Sequence, residues 1–225
     1  MTLSNTDFFN IITAFNWATL PLVGITWVLG VLCYYLPSRK TVYSNQLVSL
    51  ILAYVWSVAG IVFGLIYFRS FVPVIFGFPF VWFGYTIAAV FTLQGLILLY
   101  FGVFQKALSF KNKTGLSYVI GTILMTYAIG LYQLIAMVSG HSPVSYPAFG
   151  TAPGPVAVFT IGLLLWADKR IPSIVLILPS IFGITGILSV LALGVYADIG
   201  LFISGVIGFF LVFRHHRMKT THDTD

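Results

Sequence analysis

The sequence predicts an all-α fold: a polytopic transmembrane helical bundle of seven spans, N-terminus outside and C-terminus cytoplasmic. Three observations lead there. Of 225 residues, 59% are hydrophobic and only 7% charged, where a soluble domain carries about 25% charged residues. The apolar runs are long and are separated by short polar turns. The Lys and Arg residues fall almost entirely in alternate turns, as the positive-inside rule requires.

The elements follow in order. Residues 1–14 are mixed, and Phe8, Phe9, Ile11 and Ile12 after Asp7 fit a short interfacial helix. Span one covers 15–35, with Pro21 in its first turns, where proline is tolerated. Ser38, Arg39 and Lys40 close it. Span two covers 47–68 and stops at Arg69. An aromatic stretch broken by Pro73 and Pro79 leads to span three, 80–104. Lys106, Lys111 and Lys113 mark the next turn, before span four at 116–138. A loop rich in Pro, Gly and aromatics then enters span five, 155–167. Asp168, Lys169 and Arg170 form a tight connection to span six, 172–193, which Pro179 interrupts. Tyr196, Ala197 and Asp198 turn the chain into span seven, 199–213. Residues 214–225 read as a polar, frayed cytoplasmic tail. The whole chain, 1–225, is thus one integral membrane domain.

Orientation comes from counting. With the N-terminus outside, the inner segments hold Arg39, Lys40, Lys106, Lys111, Lys113, Lys169, Arg170, Arg214, Arg217 and Lys219. The outer segments hold Arg69 alone, so the eleven basic residues divide ten to one. The expected setting is the plasma membrane, crossed many times, with the lipid bilayer as the first partner. The net charge of +6 lies between apolar runs, so nucleic acid is not an expected partner. No basic region precedes the first apolar run, so no cleavable signal peptide is expected. Cys33 is the single cysteine and is read as a small core residue. His215 and His216, between Arg214 and Arg217, fit a basic end drawn to anionic lipid.

Several chemistries lack their residues. A retinal-bearing Lys is missing from 199–213. His141, His215, His216 and His222 lie outside the spans, so paired haem ligands or a Ser/His dyad inside the bundle are not provided. No Glu occurs, and the five Asp are placed in turns or tails, which removes intramembrane aspartyl proteolysis, a His-Glu-x-x-His metal site and carboxylate-coupled transport. No catalytic residue, metal site or cofactor is therefore assigned, and an enzyme is not the expected class.

The most informative stretch is 140–165. Pro143, Pro147, Pro153 and Pro155 deny the loop regular structure, while Gly150 and Gly154 permit tight turns. The apolar run beyond is shorter than the roughly 20 residues a span needs. Either the helix begins higher in the loop, or the loop folds back over the bundle and forms a cavity with His141, Tyr146, Phe149 and Thr151; an ordinary extracellular connector above a short, tilted helix is the plainer alternative. Thr151 is placed as a helix cap, with Pro153 or Pro155 in the first turn. A helix start there offers unpaired N–H groups and a positive dipole end near 151–156. Gly154 leaves room for close approach. Such a site favours a neutral or anionic group over a cation, Asp198 being the one carboxylate able to come near. Gln94 and Gln133, in spans three and four, serve either helix-to-helix hydrogen bonds or a second ligand position. Gly60 with Gly64, and Gly183 with Gly186, suit close helix packing.

The segment Gly140-His141, Tyr146-Pro147, Phe149-Gly150, Pro153, Pro155 and Phe159-Thr160-x-Gly162-Leu163-Leu164 resembles a family of small polytopic prokaryotic membrane proteins, domain of unknown function 6064. Further matches are Phe15-Asn16 with Pro21, Trp56 with Gly60, Phe91-x-x-Gln94-Gly95, the region of Pro179, and Asp198. The likeness spans most of the chain. Where the family pattern has Cys between two prolines this chain has Gly154; where it has His near the end of span two, Gly64; where it has Asn-Pro before span three, Val81-Trp82. The resemblance implies topology and the position of a site, and it carries no assigned activity. Two readings follow: a small-solute or ion permease or solute-binding membrane protein, taking a small-molecule ligand; or a structural or accessory subunit with a membrane-protein partner or a second copy of itself.

Overall fold

Proline and glycine punctuate an otherwise helix-forming chain, and the helices of the computed structural model follow that punctuation. The structure describes residues 5–39, 41–75, 78–111 and 114–220; Lys40, Lys113 and His222 lie outside them. Helix α1, Asn5–Ala18, buries Phe8, Ile12 and Phe15, spaced as one helical face. The chain breaks at Thr19, and α2, Leu20–Tyr35, starts with Pro21 in its first turn and runs on through Leu36–Ser38. The first long helix therefore begins five residues later than position 15, because Phe15 and Asn16 belong to α1.

Helix α3, Ser44–Val58, continues as a wide π-helical segment, Ala59–Tyr67. Two residues on each side, Val74–Ile75 (β1) and Phe78–Pro79 (β2), pair antiparallel. Helix α4, Phe83–Leu98, likewise runs into a π segment, Leu99–Phe104. A third π segment, Tyr127–Leu131, joins α5, Leu116–Thr126, to α6, Tyr132–Val138. Helix α7 is Pro153–Leu164. Helices α8, Ser173–Ile184, and α9, Gly186–Leu193, meet at Thr185, and Pro179 removes one donor within α8. Helix α10 runs Asp198–Thr220, so the expected frayed tail is helical through 220.

Five of these helical stretches are long and apolar enough to cross a membrane: Leu20–Ser38, Ser44–Tyr67, Phe83–Phe104, Leu116–Val138 and Ser173–Leu193. The expectation of seven is thus corrected to five by this measure. The other two, Pro153–Leu164 and Asp198–Val212, are apolar but short. At 1.5 Å per residue, the twelve residues of α7 extend roughly 18 Å, against a hydrocarbon core of about 30 Å.

The reason α7 stays short is visible in its burial. All twelve of its residues are buried, and a helix apolar on every side belongs inside a bundle. It packs against α3, α5, α8 and α10. Trp56 on α3 donates its indole N–H to Thr160 Oγ1 at 2.8 Å. The small residues expected to permit close helix approach do so. A Cβ on Gly64 would stand 2.7 Å from the Ala88 backbone nitrogen, and one on Gly183 would stand 2.5 Å from Gly205 Cα. Cys33 is buried and unpaired.

Candidate functional site

The segment ahead of α7 is built into the bundle. Residues 145–164 are buried without interruption, and the loop's carbonyls are taken by side chains of the neighbouring helices. Asn16 Nδ2 donates to the carbonyls of Val144 and Tyr146, each at 2.7 Å. Thr26 Oγ1 donates to the Phe149 carbonyl at 3.0 Å, and Gln133 Nε2 to that of Pro147 at 3.1 Å. This supplies what buried irregular backbone needs. Gly150, at φ +85°, lies so close to Thr26 that no side chain fits between them.

The residues singled out along this stretch separate into two groups. Tyr146, Phe149 and Thr151 are fully buried and pack into the core. Phe149 lies 4.6 Å from the Phe159 ring, centroid to centroid. The Tyr146 hydroxyl donates toward the Gly194 carbonyl at 3.5 Å. Thr151 does not cap α7: the capping position is Ala152, with extended backbone and no side-chain bond, and Pro153 opens the helix. Thr151 Oγ1 reaches only the Ala148 carbonyl, at 3.5 Å. Of the four residues expected around one cavity, His141, Tyr146, Phe149 and Thr151, the last three pack into the core and line neither of the cavities described next.

Two cavities instead lie at this end of the bundle, and Leu193 belongs to the walls of both. The first, about 440 Å³, holds His141, whose ring stacks on Phe9 at 4.3 Å, beside Asn10, Thr13 and Tyr196. The second, about 250 Å³, runs between α4 and the α8–α9 kink. Its walls are Phe8, Phe63, Phe80, Phe83 and Phe182, with Thr86 and Thr185 exposed at its mouth. Its floor is the start of α7, at Ala152, Pro153 and Gly154, together with Ser189, Leu201 and Asp198.

Asp198 is the residue that sequence reasoning undervalued. It is 6% exposed, not a solvated turn residue. Tyr132 Oη donates to its Oδ1 at 2.9 Å, and Ser189 is a second hydroxyl neighbour. A Cβ on Gly154 would stand 3.0 Å from that Oδ1 and 3.3 Å from the Tyr132 hydroxyl. Glycine at 154 thus lets the Tyr–Asp pair rest against the start of α7. The sequence carried a signal for this: Asp198 is the only acidic residue in the apolar stretch 171–213.

Gln94 and Gln133 lie apart from both cavities. Gln94 Nε2 donates to the Val175 carbonyl at 3.0 Å, tying α4 to α8. The side-chain oxygens of Gln94, Gln133 and Asn16 are buried without a hydrogen-bond partner among the described residues. No group of three or more His, Cys, Asp or Glu able to hold a metal occurs among those residues.

Over residues 5–223 the sequence matches the model of a family described as a family of unknown function, DUF6064. No curated protein and no solved structure matches.

Proposed function

The chain belongs to DUF6064, a family of unknown function, and on the geometry above we propose that it is a multi-pass integral membrane protein that binds a small solute in the cavity over the start of α7. The cavity carries the proposal: about 250 Å³ of mostly apolar surface, five phenylalanines among its walls, with one buried carboxylate at its floor. Concave apolar pockets with a few placed polar groups are the usual form of a small-molecule site. Of the permease reading, this is the binding half, and it places the solute near Gly154, with His141 in the adjoining cavity.

The reading includes seven crossings, the N-terminus outside and the C-terminus cytoplasmic. Five are the long apolar helices. The sixth is α7, made up to membrane depth by the buried loop ahead of it, whose backbone is satisfied by Asn16, Thr26 and Gln133. Irregular backbone at that depth is tolerated where protein surrounds it. The seventh is α10, whose apolar part continues as helix through the basic run to Thr220. The ten-to-one division of basic residues supports this orientation.

The experiment is mass spectrometry of small molecules retained by the protein purified in nanodiscs. Wild type should hold a solute that an Ala192→Phe variant, which fills the cavity, does not. Equal retention by both proteins, or none by wild type, would overturn the reading.

A further inference from the structure

We infer that the solute is a small organic ammonium ion, its charged head at Asp198 and its apolar body against the phenylalanine faces. This rests on the binding reading above. Among the described residues, Asp198 is the only formally charged group on the cavity wall, and no Lys, Arg or His accompanies it. A carboxylate accepts hydrogen bonds and donates none. It already takes one from Tyr132, Ser189 is a second hydroxyl neighbour, and the residue belongs to the wall of a cavity whose side-chain donors are hydroxyls.

The walls point the same way. Aromatic faces attract cations through the ring quadrupole, and most strongly where water is excluded. Phe63, Phe83 and Phe182 stand around the carboxylate's cavity. The alternative, an anion at the start of α7, loses its donors: Pro153 and Pro155 carry no N–H, and the Asp198 carboxylate already lies against Gly154. A preference for neutral or anionic groups would hold only if that carboxylate were elsewhere. Size sets the class further. At roughly 30 Å³ per water-sized group, the cavity holds on the order of eight such groups, so the ligand is a small amine, not a lipid or a peptide.

The test is binding of 2-phenylethylammonium, 2-phenylethanol and phenylacetate to the full chain in nanodiscs of uncharged lipid, read by calorimetry, with Ala192→Phe as the blocked control. The ammonium should bind wild type saturably and the blocked control not at all. Asp198→Asn should weaken the ammonium about tenfold or more, as loss of one charge-assisted hydrogen bond does, and leave the alcohol unchanged. Phe182→Leu should weaken the ammonium more than the alcohol. If Asp198→Asn does not fold, the ranking of the three compounds on wild type and the Phe182→Leu response decide. Alcohol or phenylacetate binding wild type as tightly as the ammonium would sink the ammonium assignment while leaving the cavity as a site. Failure of all three to bind wild type would also overturn it, and retention of a solute in the mass-spectrometric experiment then shows whether the cavity reading survives.

Discussion

Tyr132 donates its hydroxyl hydrogen to Asp198 Oδ1 at 2.9 Å, with both residues buried. The contact depends on the π segment before α6. On a regular α-helix, residues 127 and 132 would point about 140° apart. The wider turn of Tyr127–Leu131 brings both phenols to the start of α10, where Tyr127 Oη donates to the Ala197 carbonyl at 2.8 Å. π-bulges of this kind are frequent at functional sites.

Replacing Tyr132 by Phe removes that donor and leaves a buried carboxylate short of a partner. The expected loss is about 1–3 kcal/mol of stability, read by thermal unfolding in detergent. In Tyr132→Phe, a further Asp198→Asn change should cost less than it does in wild type, because the two residues act on each other. Strict additivity would show that the pair is not coupled.

At Gly154 the expected penalty grows with side-chain size. Alanine there would meet Asp198 Oδ1 at 3.0 Å and the Tyr132 hydroxyl at 3.3 Å, contacts that small shifts relieve. Valine adds branches against the same pair, and overpacking of that kind costs about 1–3 kcal/mol. Gly154→Val should therefore unfold at lower temperature than Gly154→Ala and lose solute binding. A valine variant that matches wild type in both measurements would refute the placement of the pair against α7.

Much of this arrangement was legible in the sequence, and what was not has a physical cause. The breaks at Pro21, at the two prolines near 73–79 and at Pro153 mark real element boundaries, and the buried loop follows from its prolines and aromatics. Composition did not separate the two short apolar helices, α7 and the apolar part of α10, from the five long ones, because burial inside a bundle makes a short helix as apolar as a spanning one; α7 is apolar on every side for that reason. Tyr146, Phe149 and Thr151 pack into the core, and residue type cannot tell a ring that lines a space from one that fills it. Asp198 was hidden by its position at a turn, since only the tertiary fold shows that this turn is covered.

Gly150 is the position where the loop tolerates least. It adopts φ +85° and touches Thr26. Alanine would be strained by about 1–2 kcal/mol from its backbone alone and would also collide with Thr26. Gly150→Ala should destabilise the protein by more than that backbone figure, and Thr26→Ala in the same chain should restore part of the loss despite removing the bond to the Phe149 carbonyl. Unfolding measurements on the two single variants and the double variant check this. No rescue would mean that the collision is not the cause.

The Trp56–Thr160 hydrogen bond joins α3 to the central helix in a dry interior. Trp56→Phe strands the threonine hydroxyl less than it seems, because Thr160 Oγ1 also donates to the Val156 carbonyl at 2.8 Å. Thr160→Val strands the indole N–H instead. A double-mutant cycle of Trp56→Phe with Thr160→Val should give a coupling near the 0.6 kcal/mol average for polar contacts within membranes. A coupling indistinguishable from zero would assign the tryptophan's role to packing alone, with its stacking on Phe91 at 4.3 Å as the remaining contact.

Topology is the prediction on which the proposed function most depends, since it decides from which side a solute meets the cavity. Ser142 and Asp168 are both exposed and lie at opposite ends of α7 and its leading loop. With seven crossings and the N-terminus outside, position 142 faces the exterior and position 168 the cytoplasm. In a Cys33→Ser background, Ser142→Cys should react with a membrane-impermeant maleimide on intact cells, and Asp168→Cys should react only after the membrane is opened. Cys33 is buried, so its replacement by a residue of similar size should leave the packing in place. If both positions label from outside, α7 does not cross and the count of seven fails. If the pattern is reversed, the crossing stands but the orientation falls, and the cavity beside Asp198 would then take its solute from the cytoplasm.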